Sequence, residues 1–287
     1  MSLGEEKRPE LSLEEFRLLR DLVHGYCGIL IHDDMNFVME RRLAPRLELL
    51  GLPDYASYHR YLRYDPDGKA ELDAAIEVLA TNETYFFREP LQLEAFSEEL
   101  VPRLYERCQR ARRLRLWSAG CSTGEEAYTL AMLLREAGRF DGWDVQVYGT
   151  DISQRVLAVA RRAEYGPSAL RATSRELLSR YFEPAGAKQR VRDEIRAWVS
   201  FGQLNLLSDE ARKLVPRMDA VFCRNVLIYF DVAARKRVLA SIYDRLFEGG
   251  YLLLGHSENL ITLTADFELV HLTKDLVYRR PEREGAP

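Results

Sequence analysis

The stretch Leu116–Glu126 reads LWSAGCSTGEE, in which a short apolar run ends in a cluster of small residues and two acids follow. The apolar residues after it recur with the spacing of one helix face, at Ala127, Leu130, Ala131 and Leu134. The stretch therefore predicts a strand, a tight turn and a helix N-terminus. Small side chains let a ligand approach the backbone, and the free N–H groups of the first helical turn point towards it. Open α/β sheets bind ligands in such a crevice, at the carboxyl ends of parallel strands.

The turn lacks the features of a phosphate-binding loop. No Lys follows Gly124, so the GxxxxGK[ST] pattern is absent, and the spacing also differs from GxGxxG. Glu125 and Glu126 would repel a pyrophosphate, whereas acids at a helix start suit the helix dipole and a ligand with hydroxyl groups or a positive charge. An ordinary tight turn with an acidic first helical turn explains the same residues, so this stretch alone leaves both interpretations open.

The composition is typical of a soluble globular protein. The chain has 287 residues, of which 47% are hydrophobic and 30% are charged, with a formal charge of −4, and we expect no nucleic-acid partner. We find no signal-peptide core and no run near the roughly 18 apolar residues of a membrane span, so we expect no membrane insertion. Four scattered cysteines without CxxC spacing argue against a zinc site or disulfides and favour the cytoplasm. We expect no metal cofactor.

The first 80 residues predict a small all-helical domain. Ser12 and Glu15 form the pattern of a capping box at the start of the first helix. In the second helix, the apolar spacing predicts that Arg41, Arg42 and Arg46 project outward. A solvated outer face is sufficient to explain these arginines.

Residues 81–90, TNETYFFREP, follow the helical domain and show no helical period. They mix amide and hydroxyl side chains with three aromatics and an arginine, which is unusual for a plain linker. One interpretation is a hinge that packs its aromatics on the next domain, and the other is a loop over the ligand crevice. The next helix becomes strongly basic towards Arg115, with Tyr105 as the only aromatic residue among its arginines, which is typical of a solvated face.

From Leu114 the pattern alternates between strand and helix, which predicts an α/β domain with a parallel sheet over residues 91–287. Polar residues follow two of its strands, namely Asp151 after the second and the pair Arg224-Asn225 after a later one. The alternation is interrupted at residues 180–203, where residues 190–192 and 198–201 look like short strands. We expect a small antiparallel β subdomain there.

Asp151 gives a first indication of the ligand. An acid at the end of the second strand of such a fold can accept hydrogen bonds from both ribose hydroxyls, although a cap for a helix from Ser153 is the better explanation when Asp151 is taken alone. The small-residue turn, this acid and the absence of a pyrophosphate cradle together favour a nucleoside ligand without phosphates. S-adenosylmethionine is the commonest such ligand.

Three segments carry a resemblance to a known family. They are ATNETYFFR at residues 80–88, SAGCSTGEE at 118–126 and FCRNVLIYF at 222–230. In this order they resemble the signature segments of the CheR family of chemoreceptor methyltransferases, and the resemblance covers nearly the whole chain. The family transfers a methyl group from S-adenosylmethionine to glutamate side chains on receptor helices. The resemblance implies a Rossmann-like methyltransferase sheet and a cytoplasmic, monomeric enzyme whose partners are the cytoplasmic helices of methyl-accepting chemoreceptors.

The resemblance also implies roles for individual residues. The implied cofactor contacts are Asn82, Thr84, Arg88, Glu125 or Glu126, Asp151, Asn205, Leu206, Arg224 and Asn225. Arg88 and Tyr229 would lie beside the transferred methyl group and are the candidate catalytic residues. No general base is required, because a glutamate with a pKa near 4.3 is already ionised at pH 7. A basic helix could steer glutamate-bearing receptor helices, so Arg41, Arg42 and Arg46 are candidate substrate contacts.

The chain departs from the family's pattern in one loop of the β subdomain. Some members grip a receptor pentapeptide with a longer glycine-rich loop in the β subdomain, whereas residues 183–189 here are short and hold one glycine, so we expect no pentapeptide dependence.

Three other functions are alternatives to the methyltransferase. A nicotinamide dehydrogenase would share the fold class, but the dinucleotide-binding loop that it needs is missing from this sequence. A cysteine hydrolase would combine Cys121 or Cys223 with His256. A non-catalytic module that binds S-adenosylmethionine or S-adenosylhomocysteine is the third alternative.

Overall fold

A computed structural model describes residues 9–80, 82–209 and 214–282 of the chain. The chain divides into two compact units, residues 1–81 and residues 82–287. The first is helical, and the second contains a seven-stranded sheet and a smaller three-stranded sheet.

The helical unit contains four α-helices in its described part: α1 Leu13–Cys27, α2 Asn36–Leu50, α3 Tyr55–Tyr64 and α4 Gly68–Leu79. The capping box at the start of α1 is confirmed, because the Ser12 side chain accepts from the Glu15 backbone and the Glu15 side chain accepts from Ser12. Phe16 on α1, Met39 on α2 and Tyr58 on α3 are almost fully buried. Their burial shows that one face of each of these helices forms the core of the unit.

Two of the three arginines on α2 do not project freely into solvent. Arg42 donates through Nη1 to the carbonyl oxygen of Leu79 at 2.6 Å. Arg46 forms an ion pair with Glu71, which is 6% exposed and also accepts from the Tyr58 hydroxyl at 2.7 Å. The expectation of an outward face is therefore wrong for Arg42 and Arg46, because helical spacing does not show which polar groups of neighbouring helices lie within their reach. Arg41 is exposed.

The main sheet has the strand order β6-β2-β1-β7-β8-β10-β9. Its strands are β1 Arg113–Ala119, β2 Asp144–Asp151, β6 Val199–Gln203, β7 Met218–Cys223, β8 Leu246–Leu254, β9 Glu268–His271 and β10 Leu276–Arg279. The first five strands in that order are parallel, and β10 and β9 add to the β8 edge in antiparallel pairings. Strand β7, at the centre, is buried along its whole length. The predicted α/β class with a Rossmann-like sheet is confirmed.

Helices connect and cover these strands. They are α5 Pro90–Ala95, α6 Val101–Cys108, α7 Glu125–Glu136, α8 Gln154–Arg162, α9 Arg175–Tyr181, α10 Asp193–Arg196 and α11 Val232–Arg245. A π-helical segment, Phe96–Leu100, joins α5 to α6. Because β1, β2, β6, β7 and β8 are parallel, their carboxyl ends lie at the same edge of the sheet. The loops that follow these five strands meet at that edge.

The small antiparallel sheet differs from the predicted one. It consists of β3 Glu164–Tyr165, β5 Lys188–Val191 and β4 Phe182–Ala185. The predicted strand at residues 198–201 instead begins β6, which pairs in parallel with β2. The expectation of one antiparallel subdomain over residues 180–203 is wrong at its carboxyl-terminal end, because alternation of side chains identifies a strand but not the strand that it pairs with.

Candidate active site at the carboxyl edge of the sheet

The turn after β1 is built from left-handed backbone conformations. The φ angles of Gly120, Ser122 and Gly124 are 78°, 49° and 93°. The backbone N–H groups of Gly120 and Cys121 both donate to the carbonyl oxygen of Thr150, at 2.8 and 2.9 Å. The turn that precedes α7 is therefore bound to the end of the neighbouring strand β2.

Close contacts explain why two of these positions are glycine. A Cβ atom on Gly120 would lie 2.5 Å from Val226 Cγ2, and one on Gly124 would lie 2.8 Å from Ala160 Cβ and 2.9 Å from Phe201 Cζ. A side chain at either position would force the turn away from Val226 or from α8 and β6, which pack against it. The predicted strand, tight turn and helix N-terminus are present, with the first residue of α7 at Glu125.

Asp151, at the end of β2, holds the same turn through its side chain. Its Oδ2 accepts from the Ser122 N–H at 2.9 Å, and its Oδ1 accepts from the Ser153 N–H at 3.0 Å. Ser153, rather than Asp151, is the N-cap of α8. The carbonyl oxygen of Asp151 accepts from the Leu204 N–H at 2.9 Å. Asn205 and Leu206 follow directly, so the chain brings the predicted ribose and adenine contacts to one corner of the sheet edge.

The two acids at the start of α7 have different surroundings. Glu125 is 3% exposed and accepts from the Thr123 hydroxyl at 2.7 and 2.9 Å. Burial raises the pKa of Glu125. Glu126 accepts from the Ser118 hydroxyl at 2.6 Å and from Arg224 Nη1 at 3.1 Å. Glu125 is thus folded back onto its own turn, whereas Glu126 joins the end of β1 to the residue after β7.

Arg224 is the centre of a buried charged cluster, which we call the Arg224 cluster and define as Arg224, Glu89 and Glu126. The exposed fractions of these side chains are 3%, 13% and 16%. Arg224 Nη2 donates to Glu89 Oε2 at 3.0 Å and to the carbonyl oxygen of Arg88 at 2.7 Å. Two carboxylates face one guanidinium, so the ionised cluster carries a net negative charge, which attracts a cationic ligand at low effective dielectric.

Sequence reasoning missed Glu89. Glu89 directly follows Arg88, the last residue of the segment 80–88 that carries the resemblance. This adjacency was the signal available in the sequence. The Glu89 φ of 60° is left-handed, and this conformation is uncommon for a residue with a side chain. Its partner Arg224 is 135 residues away along the chain, so no local pattern could have indicated the ion pair.

The connecting loop combines features of both interpretations from the sequence. Phe86 is fully buried and packs edge-on against Tyr165 and Phe182, with ring centroids 4.8 and 5.1 Å apart. The Phe87 N–H donates to Thr129 Oγ1 at 3.2 Å. The carbonyl oxygen of Asn82 accepts from the Ser122 hydroxyl at 3.4 Å. The aromatics thus pack on the sheet unit, and the rest of the loop lies against the glycine turn.

The candidate catalytic residues lie on two different loops. Arg88 donates through Nη1 to the carbonyl oxygen of Glu83 at 2.9 Å, and its guanidinium carbon is 5.9 Å from the centre of the Tyr85 ring. Tyr229 ends a single 3-10 turn, Leu227–Tyr229, after β7. Both side chains are half-buried, as are Asn82, Thr84 and Asn225.

A second unpredicted residue, Glu258, organises the loop after β7. Its carboxylate accepts hydrogen bonds from four backbone N–H groups, those of Asn225, Val226, Ile228 and Gly255, at 2.8 to 3.1 Å. The sequence places Glu258 after β8 but gives no sign of these bonds.

The cysteines do not support a hydrolase. All four are buried. Burial raises the pKa values of the Cys121 and Cys223 thiols well above the ordinary value, so both remain protonated, whereas the thiolate is the nucleophilic form. His256 instead places its Nε2 4.0 Å from Glu89 Oε2.

Two kinds of feature are absent from residues 9–80, 82–209 and 214–282. No helix in these ranges is long and apolar enough to cross a membrane. The same residues contain no group of three or more His, Cys, Asp and Glu side chains that could hold a metal ion.

The strand order, the glycine turn after β1 and the acid after β2 form a Rossmann-like sheet whose carboxyl edge suits a nucleoside ligand, with a turn that is not built for a pyrophosphate. Residues 14–80 match the family model of the CheR methyltransferase all-alpha domain, and residues 82–276 match that of the CheR methyltransferase SAM binding domain. The chain belongs to the CheR methyltransferase family. This confirms the resemblance identified from the three sequence segments.

Curated relatives agree with the family models. The chain is 33% identical to chemotaxis protein methyltransferase 2 of Vibrio cholerae, over 94% of this chain and 93% of that protein. It is 33% identical to chemotaxis protein methyltransferase 1 of Pseudomonas aeruginosa, over 92% and 97%. It is 36% identical to the chemotaxis protein methyltransferase of Salmonella typhimurium, over 92% and 90%.

The residues at the sheet edge fit S-adenosylmethionine, which carries a ribose, an adenine and a methionine with positive ammonium and sulfonium groups. Asp151 supplies a carboxylate at the position that suits ribose hydroxyls. The Arg224 cluster supplies net negative charge beside the glycine turn. Glu125 and Glu126 occupy the start of α7, and their negative charge would oppose a phosphate there.

Proposed function

We propose that this chain transfers a methyl group from S-adenosylmethionine to glutamate side chains on the cytoplasmic helices of chemoreceptors, forming γ-methyl esters. Its family and the names of its relatives support a methyltransferase of chemotaxis. The structural observation that carries the proposal is the bond from Arg224 to the backbone of Arg88, because it joins the negatively charged cluster to the candidate catalytic arginine.

The chemistry requires alignment more than proton transfer. When bound, S-adenosylmethionine supplies a sulfonium-activated methyl group, and a glutamate carboxylate is already ionised at pH 7. The chain must hold the carboxylate in line with that methyl group and exclude water. Correct positioning of two reactants contributes roughly 7–11 kcal/mol to lowering a barrier, and we assign most of the catalysis to this effect.

Arg88 orients the substrate carboxylate in this proposal. A guanidinium forms charge-assisted, geometrically defined hydrogen bonds with a carboxylate. In the structure its Nη1 is bonded to the Glu83 carbonyl oxygen, so Arg88 exchanges this backbone acceptor for the substrate. The backbone of Arg88 stays fixed, because left-handed residues flank it and Arg224 binds its carbonyl oxygen. Tyr229 would lie beside the transferred methyl group, on the side opposite Arg88.

The remaining predicted contacts keep their proposed roles. Asp151 would accept the ribose hydroxyls, with Asn205 and Leu206 beside the adenine and Asn225 on the methionine side. Asn82 and Thr84 would contact the cofactor from the connecting loop. Of the two acids, we propose that Glu126 faces the cofactor, because it belongs to the Arg224 cluster whereas Glu125 is bonded to Thr123. We also propose that residues 1–80 act as a receptor-binding domain and that residues 81–90 contribute to the active site.

We propose that the enzyme acts as a cytoplasmic monomer that does not depend on a receptor pentapeptide. The loop between β4 and β5 has only Gly186 and Ala187 outside the strands, which leaves little chain to wrap a peptide. Calorimetric titration with a peptide copied from a receptor C-terminus should show no binding. A micromolar dissociation constant would contradict this part of the proposal.

The central experiment incubates the protein with methyl-labelled S-adenosylmethionine and a receptor cytoplasmic fragment. The expected product is a labelled fragment that releases methanol on alkaline treatment, as a carboxyl methyl ester does and an N-methyl group does not. A fragment with its candidate glutamates replaced by alanine is the control and should remain unlabelled. Binding of S-adenosylhomocysteine without any transfer would instead support a non-catalytic binding module.

A further inference from the structure

The loop that follows β7 carries Asn225 and Tyr229, and it is held by a residue from the end of β8. Asn225 adopts a left-handed conformation with φ of 57°. Glu258 lies 33 residues further along the chain, and its Oε2 accepts from the Asn225 N–H at 2.8 Å. Its Oε1 accepts from the N–H groups of Val226 and Ile228, at 3.0 and 3.1 Å.

The same carboxylate also binds its own strand end. Glu258 Oε2 accepts from the Gly255 N–H at 2.8 Å, so each oxygen serves two backbone donors. Four N–H donors converge on one half-buried carboxylate. Bonds of this kind, with an ionised acceptor, are about twice as strong as neutral ones.

The backbones around Glu258 are closely packed. A Cβ atom on Gly255 would lie 2.8 Å from Asn225 Nδ2, 2.9 Å from the Asn225 backbone nitrogen and 3.0 Å from Glu258 Oε2. Gly255 therefore lets the strand end and the left-handed Asn225 approach the carboxylate together.

We propose that Glu258 is a positioning residue that sets the conformation of the loop 225–229 and thereby places Asn225 and Tyr229 for cofactor binding and methyl transfer. The placement of Tyr229 is indirect, through the 3-10 turn in which the Tyr229 N–H donates to the Val226 carbonyl oxygen at 3.2 Å. The loop conformation itself follows from the described contacts, whereas its consequence for catalysis rests on the proposed function.

Glu258→Gln is the decisive variant. An amide has one acceptor oxygen and one donor nitrogen. In either orientation its NH₂ group would face two backbone N–H donors and leave both without an acceptor. Asp219→Asn is the matched control: Asp219, on β7 itself, is a buried carboxylate that accepts from the Arg115 N–H at 2.8 Å and from Arg107 at 2.5 Å. Asp219 lies at the start of β7, whereas the proposed site lies after the last residue of that strand.

Two readouts separate positioning from general stability. In the ligand-free protein, hydrogen exchange of the amides of residues 225–229 should become at least about tenfold faster in Glu258→Gln, the ratio that corresponds to about 1.4 kcal/mol, and stay unchanged in Asp219→Asn. The affinity for S-adenosylhomocysteine should fall about tenfold in Glu258→Gln and by less than about twofold in the control, measured where both variants are folded. A Gly255→Ala variant should reproduce the effects of Glu258→Gln.

The outcomes are distinguishable. If loop exchange and cofactor affinity in Glu258→Gln equal those of the wild type, or if the control changes them as strongly, Glu258 has no positioning role. If the wild-type chain neither binds S-adenosylhomocysteine nor methylates receptor fragments, the proposed function fails. In that case, selectively faster exchange of the loop in Glu258→Gln still supports its structural half, and unchanged exchange overturns it.

Discussion

Arg224 donates to the backbone carbonyl oxygen of Arg88, at 2.7 Å, although 136 residues separate them in the sequence. Through this bond the residue after the central strand fixes the loop that enters the sheet unit. The guanidinium is compensated by Glu89 and Glu126, so its burial does not leave a lone charge. The arrangement joins the loop after β7, the connecting loop and the start of α7.

Replacing Arg224 should damage both stability and binding. Arg224→Ala leaves Glu89 and Glu126 as neighbouring carboxylates without a cation, and removing one partner of a buried ion pair costs about 3–5 kcal/mol. Urea unfolding should show a loss of this order. Affinity for S-adenosylhomocysteine should fall at least about tenfold, because the Arg88 backbone loses its anchor. The control is Arg180→Ala, which breaks an exposed pair with Glu136 and should cost less than about 1 kcal/mol.

The two acids at the start of α7 should respond differently to the same substitution. Glu126→Gln reduces the negative charge of the Arg224 cluster, so affinity for the cationic S-adenosylmethionine should fall at least about tenfold. Glu125→Gln changes a side chain that is bonded to Thr123, and the affinity should change by less than about threefold. Calorimetry on both variants measures this. Equal losses, or a larger loss in Glu125→Gln, would show that the assignment is reversed.

Glu125 should also make the stability of the protein depend on pH. Burial raises the pKa of Glu125 in the folded state, above the value near 4.3 of an unfolded chain. Above the folded-state pKa, ionisation therefore destabilises the folded protein, and this cost disappears as the pH falls to the unfolded value. Glu125→Gln should be more stable than the wild type at pH 8, with a difference that vanishes near pH 4.

Glu136 provides a control of opposite sign for that pH profile. Burial raises the pKa of Glu136, but the hydrogen bond from Tyr181 and the contacts with Arg180 outweigh it, so the net pKa is lowered. Such a carboxylate stabilises the folded state above its unfolded pKa, and the gain is lost as the pH falls through the lowered value. Glu136→Gln should therefore be less stable than the wild type at pH 8. If the stability difference from the wild type has the same sign in both variants at pH 8, at least one of the two assignments is wrong.

Gly124 should be more sensitive to a methyl group than its backbone conformation alone explains. Gly124→Ala combines a φ of 93° with contacts of 2.8 Å to Ala160 and 2.9 Å to Phe201, so the turn must move and cofactor affinity should fall at least about tenfold. Gly138→Ala has a φ of 61° and nothing within 4 Å of its Cβ. It should cost about 1–2 kcal/mol of stability and leave the affinity unchanged. Similar affinities for the two variants would show that the turn tolerates a side chain.

Two of the three arginines of α2, Arg41 and Arg46, should behave differently, the first as a substrate contact and the second as a structural residue. Arg41→Glu should slow methylation of receptor fragments several-fold at low salt, and less at high salt, without changing cofactor affinity. Arg46→Glu should instead lower the free energy of unfolding by about 3 kcal/mol, because the buried Glu71 loses its partner. Unchanged receptor turnover in Arg41→Glu would refute the steering role.

The sequence alone determined the features that depend on neighbouring residues. The small residues and helical spacing around Gly124 indicated the strand, turn and helix, because backbone conformation and periodicity are local properties. The position of Asp151 after a strand placed it at the sheet edge, because the carboxyl ends of parallel strands meet there. The three signature segments identified the family.

Only the tertiary structure decided which polar groups meet. The pairing of Arg46 with Glu71, the partner strand of β6, the different surroundings of Glu125 and Glu126, and the roles of Glu89 and Glu258 all depend on residues that are distant in sequence. A carboxylate or a guanidinium has several acceptable partners, and packing selects one by distance and burial. Pattern and spacing show that a charged side chain is present, but its partner is fixed only when the chain brings distant segments together.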